Sequence, residues 1–353
     1  MTPTLARTAV VLGAISALSA CDAPDPNTPI AQTVVLYTSA DDVFVRSVVD
    51  AFEQETGIRV DLVGDTEATK TTGLVTRLLA EKEAPRCDVW WSSEPMGTLL
   101  LAEAGVLEPG AMTGSVPSDW PAELIGADDT WIGFAERARV IAFSADRVEN
   151  PPTTLAALTT PDWSGRVGMA RPQFGTTRGH MALLADRWGI PAFRAWLEAM
   201  QDNGLKLYDG NARVVRAIHE GEIDLALTDT DDVWVAIANT WPIGMTYETR
   251  SDHFVWPSIG PTTIPNTVGV VAGGPNPDAA RVLATFLVSP TVEQLLAASQ
   301  SRNIPVHADL RVEFSELIPP NVGNGRIARP DYSSASIIVS GAIDMCERVL
   351  MSP

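Results

Sequence analysis

Residues 228–232, Thr-Asp-Thr-Asp-Asp, place three carboxylates within four positions. Such neighbours repel one another at neutral pH, so the arrangement favours a bound cation or shifted protonation. An apolar run at 223–227 precedes them and reads as a short buried strand; residues 233–238 read as the start of a helix. A strand whose carboxyl end opens onto a helix N-terminus is where open α/β sheets place their ligands. Helix capping is the plainer explanation, with Thr230 or Asp231 as the cap and Asp232 complementing the helix dipole. Capping accounts for one or two of the acids and not for all three.

Two other strand ends carry acids. The β-rich run 33–38 leads into Asp41 and Asp42, and a short strand at 88–91 leads into Glu94. Parallel strands share one carboxyl edge, so Asp41, Glu94, Asp231 and Asp232 can meet as oxygen ligands for a metal ion. Taken singly, each is a helix cap or a solvated loop residue. Gly175-Thr176-Thr177 precedes a helix expected over 178–188 and offers backbone amides and hydroxyls to an anion. Asn211 closes the run Leu207-Tyr208-Asp209-Gly210-Asn211, ahead of a helix that reaches His219.

The elements that must position these residues alternate along the chain. Val45, Val48, Val49 and Phe52 form the stripe of a helix over 43–55, stopped by Gly57. A strand at 59–63, helices at 72–80 and 96–104, and a long extended segment at 131–143 come next. Residues 266–273 form a second apolar extended segment that returns the chain to the first lobe. Helices are expected at 277–287, 291–300 and 336–350. This is the pattern of an α/β chain with a mixed or parallel sheet and helices on its faces.

At 353 residues, with 45% hydrophobic and 20% charged residues, the chain is an ordinary globular protein long enough for two domains. Its formal net charge of -19 excludes a nucleic-acid partner, because no basic surface can form against such acidic competition. Arg7 followed by the apolar residues 8–18 reads as a signal peptide (1–20). Leu18-Ser19-Ala20-Cys21 looks like a lipobox, with Cys21 as the lipidated residue and 21–32 as a Pro-rich tether. Cys87 and Cys346 remain, and an exported chain can join such a pair as a disulfide or leave both free.

No nucleophile elbow, P-loop, dinucleotide fingerprint or zincin motif is present. The four histidines are scattered and read as surface or helix residues. Most of the ten tryptophans read as packing, although Trp90, Trp91, Trp234, Trp241 or Trp256 could line a cleft. Paired carboxylates would suit glycoside hydrolysis, but nothing else points to sugar chemistry. No enzyme is expected.

Several runs resemble ABC-transporter solute-binding proteins, and within them the ferric-ion-binding branch: Val34-Val35-Leu36-Tyr37-Thr38, Phe52 to Val60, Leu101 to Leu107, Arg137-Ala138-Arg139-Val140, Trp163 to Gly168 and Gly221 to Leu227. The resemblance implies a type II periplasmic-binding fold of two α/β lobes joined by two crossing strands. Its lobes would be 33–137 with 262–310, and 138–261 with 311–353. It also implies a monomer in the periplasm or at the outer face of the cytoplasmic membrane, delivering a ligand to permease and ATPase subunits. Glu94 matches a metal-coordinating glutamate of that branch, and Asn211 and approximately Gly175-Thr176-Thr177 match its anion-holding positions. Arg137 and Arg139 join this anion set.

The departures matter. Asp231-Asp232 stand where the ferric proteins carry adjacent tyrosines, and Asp41 stands where many carry a histidine. Carboxylates keep a hard oxygen site but shift it towards weaker or divalent binding: Fe(III) or Fe(II), Mn(II) or Ca(II), with or without an anion. Asp41, Glu94, Asp231 and Asp232 together exceed the charge of a divalent ion. Either one faces away, or Arg137, Arg139 or Arg178 compensates. A small organic cation, amine or thiamine-like, or a phosphonate-type or phosphate-type anion is the alternative ligand.

Overall fold

Val34 and Leu36 of β1 (Thr33–Thr38) enter one apolar core while Val35 and Tyr37 enter another. This is the period-two signature of a strand covered on both faces. A computed structural model describes residues 32–65, 71–258, 260–320 and 329–351. The expected signal peptide, the Cys21 lipidation site and all but the last residue of the tether lie outside the described residues.

From β1 the chain runs through α1 (Asp42–Thr56), β2 (Arg59–Gly64), α2 (Thr72–Ala80), β3 (Val89–Ser92) and α3 (Pro95–Glu103). Strands β2 and β3 flank β1 in parallel, so each connection carries a helix across a face of the sheet. Helix α1 buries Val45, Val48, Val49 and Phe52, each contributing about 1.5–3 kcal/mol. Gly57 ends it at φ +71, a conformation that costs glycine nothing.

The chain continues through β4 (Ile132–Ser144), β5 (Val167–Ala170), α4 (Gly175–Trp188), α5 (Ile190–Asp202), β6 (Lys206–Tyr208), α6 (Asn211–His219), β7 (Leu225–Asp229), α7 (Thr230–Ala238) and β8 (Ile243–Tyr247). It ends with β9 (Thr263–Val270), α8 (Pro277–Leu287), α9 (Pro290–Ala298), α10 (Ala308–Glu313) and α11 (Tyr332–Leu350). Strand order is β2-β1-β3-β9-β4-β7-β5-β6, with β8 pairing β4. The first half of β4 pairs antiparallel with β9; the second half pairs with β7 and β8. One strand therefore serves both lobes. The return crossing lies just before β9, where the Arg139 amide donates to the Thr262 carbonyl at 2.8 Å.

A bulge breaks the β4–β9 register between Phe134 and Arg137. Ala135 sits there at φ +40, in the left-handed region that a Cβ disfavours. Three buried side chains hold it. The Glu293 carboxylate accepts its amide at 2.7 Å, and Asn266 and Asn303 donate to its carbonyl at 2.5 and 3.3 Å. An extra residue on one strand re-aims the side chains beyond it, and Arg137 lies directly beyond this one.

Several boundaries differ from expectation. Strand β7 runs on to Asp229 because Val140 and Arg139 continue the ladder opposite Thr228 and Asp229. Helix α7 then starts at Thr230 and α4 at Gly175, each about one turn early. Helix α11 starts at Tyr332, where the Asp331 side chain accepts the Ser333 and Ser334 amides. Helices α5 and α10 and strands β6 and β8 were not expected. Cys87 and Cys346 are both free: each is buried in a different lobe's core, so no bond joins them. Among the described residues, no helix is long and apolar enough to cross a membrane.

Candidate metal and anion site

Strands β5, β6 and β7 lie parallel, so their carboxyl ends share one edge. Each opens directly into a helix, α4, α6 or α7, and no side chain caps any of the three. Uncapped first-turn amides and aligned peptide dipoles concentrate positive potential at that edge. The starts of these helices line a cavity of about 190 Å³ with Gly175, Thr176, Thr177, Gly210, Asn211, Asp231 and Asp232. Gly175 enters α4 at φ +56, a turn that favours glycine. The first lobe supplies the facing wall: Asp41, Phe44, Trp91, Ser93 and Asn266, with Ser301 and Asn303 beside them.

Asp229 organises the floor. It is 2% exposed, and its Oδ1 accepts Arg139 Nη1 at 2.7 Å. Its Oδ2 accepts the Thr176 hydroxyl at 2.5 Å, Asn211 Nδ2 at 3.0 Å and Arg137 Nε at 3.4 Å. Burial alone would raise its pKa. Arg139, Arg137 and the hydroxyl reverse that and hold it below the usual carboxylate range. Asp229, Asp231 and Asp232 each bring an oxygen within 4.8 Å of the others. The lone pairs of Asp229 are taken by protein donors, so the pair that presents oxygen to a cation is Asp231 and Asp232.

Asp231 lies 3.5 Å from Arg137 Nε, and Asp232 accepts the Thr228 hydroxyl at 3.0 Å. Arg137 is 5% exposed and donates through Nη2 to the Ser93 carbonyl of the first lobe. Burial works against its charge. Asp231, Asp229, Asp232 and Asp41 outweigh burial and raise its pKa. Set against the two positive charges of Arg137 and Arg139, these four acids leave the group with an excess of two negative charges. Asp209 and Arg171, also at the cavity, pair at 2.9 Å and cancel.

The structure does not bring every expected residue to the cavity. Glu94 is 2% exposed and turned into its own helix: Oε2 accepts the Met96 amide at 2.6 Å and Oε1 the Gly97 amide at 2.9 Å. Burial raises its pKa against the pull of Arg178 and those amides. It caps α3, and Ser93 beside it lines the cavity instead. Arg139 likewise faces Asp229 from behind and not the open space. Asn211 and Thr176 reach the cavity, but their side chains are engaged with Asp229. The donors that remain for an anion are the backbone amides that open α4 and α6 and the Thr177 hydroxyl, whose contact to Asn211 Oδ1 is 3.5 Å long; Arg137 also lines the cavity, with its guanidinium shared among Asp229, Asp231 and the Ser93 carbonyl. Asp41 lies at the rim, exposed.

His180 lies in helix α4, one of the two placements expected for it, and is buried near Arg139. Burial and that neighbouring charge push its pKa well below the ordinary value, so the ring is neutral. Tyr37 and Tyr208 donate to Glu81 and Glu222, Tyr332 donates to the Thr263 carbonyl, and Tyr247 packs against a core. Among the described residues the cavity thus contains no phenol, imidazole or thiol. Its donors are oxygen and amide nitrogen, a set that suits hard cations. The sequence missed Phe44, Ser93, Asn266, Ser301 and Asn303. Only Trp91 carried a signal, as one of the tryptophans able to line a cleft.

A family model described as bacterial extracellular solute-binding protein matches residues 47–313. The major ferric iron-binding protein of Neisseria meningitidis serogroup B is 24% identical over 320 residues, covering 89% of this chain and 94% of that protein. Iron uptake protein A1 of Synechocystis is 28% identical, over 82% of this chain and 81% of that protein. Iron-bound HitA from Pseudomonas aeruginosa superposes with a TM-score of 0.74 at 22% identity, covering 90% of this chain and 99% of that one.

Proposed function

The chain belongs to the bacterial extracellular solute-binding protein family, and we propose that within it this protein captures an iron ion for an ABC importer. Asp231 and Asp232 are the core ligands, and Asp41 closes on the ion from the opposite lobe. A small oxyanion sits on the amides that open α4 and α6, with Asn211 and Thr176 holding Asp229 and the site in shape. The protein works outside the cytoplasm as a monomer, lipid-anchored at Cys21, and passes its cargo to permease and ATPase subunits. The relatives named above carry iron binding and iron uptake in their names, which supports the cargo.

The observation that carries this reading is the paired Asp231 and Asp232 beneath three uncapped helix starts, in a group of acids and arginines with an excess of two negative charges. Such an excess balances a divalent ion alone, or a trivalent ion with a monoanion. Metal analysis of the purified protein tests it, paired with thermal melts against Fe(III), Fe(II), Mn(II) and Ca(II), with and without phosphate. Specific binding raises the melting temperature with ligand concentration. No metal and no shift with any ion would end the metal reading.

Trp91, Phe44 and Phe174 beside the acids favour a second reading, a small organic ammonium held by cation–π contact. Tryptophan quenching by an amine, without metal, would select it.

A further inference from the structure

Resting on the cation reading above, we infer that Arg137 is a tethered counter-cation: its guanidinium holds Asp231 in the ligand-free protein and must yield that carboxylate to the cargo. Three observations support that role. The bulge at Phe134/Arg137, clamped through Ala135 by Glu293, Asn266 and Asn303, aims the side chain across the lobe boundary. At one end the guanidinium donates to the Ser93 carbonyl, on the first lobe's wall. At the other it reaches Asp229 at 3.4 Å and Asp231 at 3.5 Å, on the second lobe's wall.

The two carboxylates are not held alike. Asp229 keeps Arg139, Thr176 and Asn211 whatever Arg137 does. Its cluster survives a small rotation of Arg137 away from Asp231. Asp231 is also the less buried of the two, with 17% of its side chain exposed against 2% for Asp229. A metal ion arriving beside Asp231 and Asp232 meets one positive charge already there. Like charges about 4 Å apart in a partly desolvated site repel strongly, so Arg137 sets a threshold that only a cation coordinating both acids overcomes. The arginine therefore weakens binding while lowering the negative charge of the empty cleft and joining its two walls. It acts as a built-in competitor for Asp231 that an ion coordinating only one of the acids does not displace.

The test measures Mn(II) affinity by calorimetry on the whole protein as wild type, Arg137→Gln and Arg137→Lys. Removing the charge should tighten Mn(II) binding about tenfold in Arg137→Gln, well beyond any gain in Arg137→Lys, which keeps it. Arg137→Gln should also melt earlier than wild type without metal and recover most of the loss when Mn(II) is added. A variant that folds only with Mn(II) supports the inference equally, because the ion then replaces the guanidinium. Arg137→Gln binding Mn(II) no tighter than Arg137→Lys overturns it, as does an Arg137→Gln protein that no cation rescues. If wild type and both variants bind none of Mn(II), Fe(II), Fe(III) and Ca(II), the cation reading itself fails, a result distinct from the preceding ones.

Discussion

The wall built from β5, β6 and β7 and the wall built from the first lobe face one cavity with different chemistry. The second-lobe wall is charged and dense: three helix starts and three aspartates lie within a few residues of three strand ends, with Arg139 of β4 paired to Asp229 across the ladder. The first-lobe wall offers Phe44, Trp91, Ser93 and Asn266, with Asp41 its one acid at the cavity among the described residues. Its other expected acid, Glu94, serves its own helix. Both walls use the carboxyl edge of a sheet with parallel strands, so topology does not explain the contrast. The difference lies in which acids find partners at home. A carboxylate that caps its own helix is withdrawn from the cleft, and one whose helix is left uncapped is delivered to it. The second lobe accordingly forms the primary binding surface, and the first lobe acts as its cover.

The strongest way to break this comparison is to strip the second-lobe wall. The double variant Asp231→Ala, Asp232→Ala should lose the metal-dependent rise in melting temperature entirely, whereas Asp41→Ala on the opposite wall should only weaken it. Equal losses would make the walls equivalent. Asp229→Asn comes next. Leaving Arg137 and Arg139 without their buried partner should cost about 3–5 kcal/mol in urea unfolding, with no metal present. Because its folded pKa is depressed, Asp229 contributes stability above the ordinary carboxylate range, lost as pH falls through its folded value.

Glu248, elsewhere in the second lobe, should show the opposite sign. Burial raises it from 4.5 to about 7 despite the Ser258 hydrogen bond, so stability is fully present below 4.5 and is lost as pH rises through 7. Glu248→Gln should therefore stabilise the protein by roughly 2–3 kcal/mol at pH 8 and by almost nothing at pH 4. A flat difference across that range would show that no such proton is held. The smallest effect belongs to Glu94. Glu94→Ala should cost about 1–2 kcal/mol, the loss of a helix cap, and leave the metal-induced shift in place. A lost metal shift would return Glu94 to the ligand set.

The strand–helix alternation was legible because burial on two faces leaves a period in the apolar residues, as in Val45, Val48, Val49 and Phe52. The same signal runs through α5, where Phe193, Trp196, Leu197 and Met200 are spaced for one helix face. The second-lobe half of the site was also legible, since Asp231, Asp232, Gly175 to Thr177 and Asn211 are each local to a strand end. What could not be read was which acids pair. Polar Thr228 and Asp229 look like a loop in sequence, yet they extend β7 because Arg139, far upstream, meets them across the ladder. Glu94 and Arg139 were misplaced for the same reason: a side chain with a partner in reach goes to that partner, and spacing alone does not reveal it. Asn266 and Asn303 reach the cavity through the bulge that they help to clamp, and no local pattern encodes it.

The sharing of β4 between two sheets also bears on the order in which the chain can fold. Strand β3 pairs with β1 on one edge, but its other edge waits for β9, since Val89 pairs with Val270, and β9 is made only after β4 to β8 have been synthesised. The first lobe therefore cannot complete its sheet while it emerges, and β1, β2 and β3 remain an unclosed edge until the chain reaches residue 270. Pairing between segments so distant in sequence is slow, because loop closure precedes any reward from contact. A chain that has to be threaded through a narrow export channel before it folds gains from that delay. The second lobe waits as well, because α11, which packs against α4 and α5 in its core, is the last element of the chain.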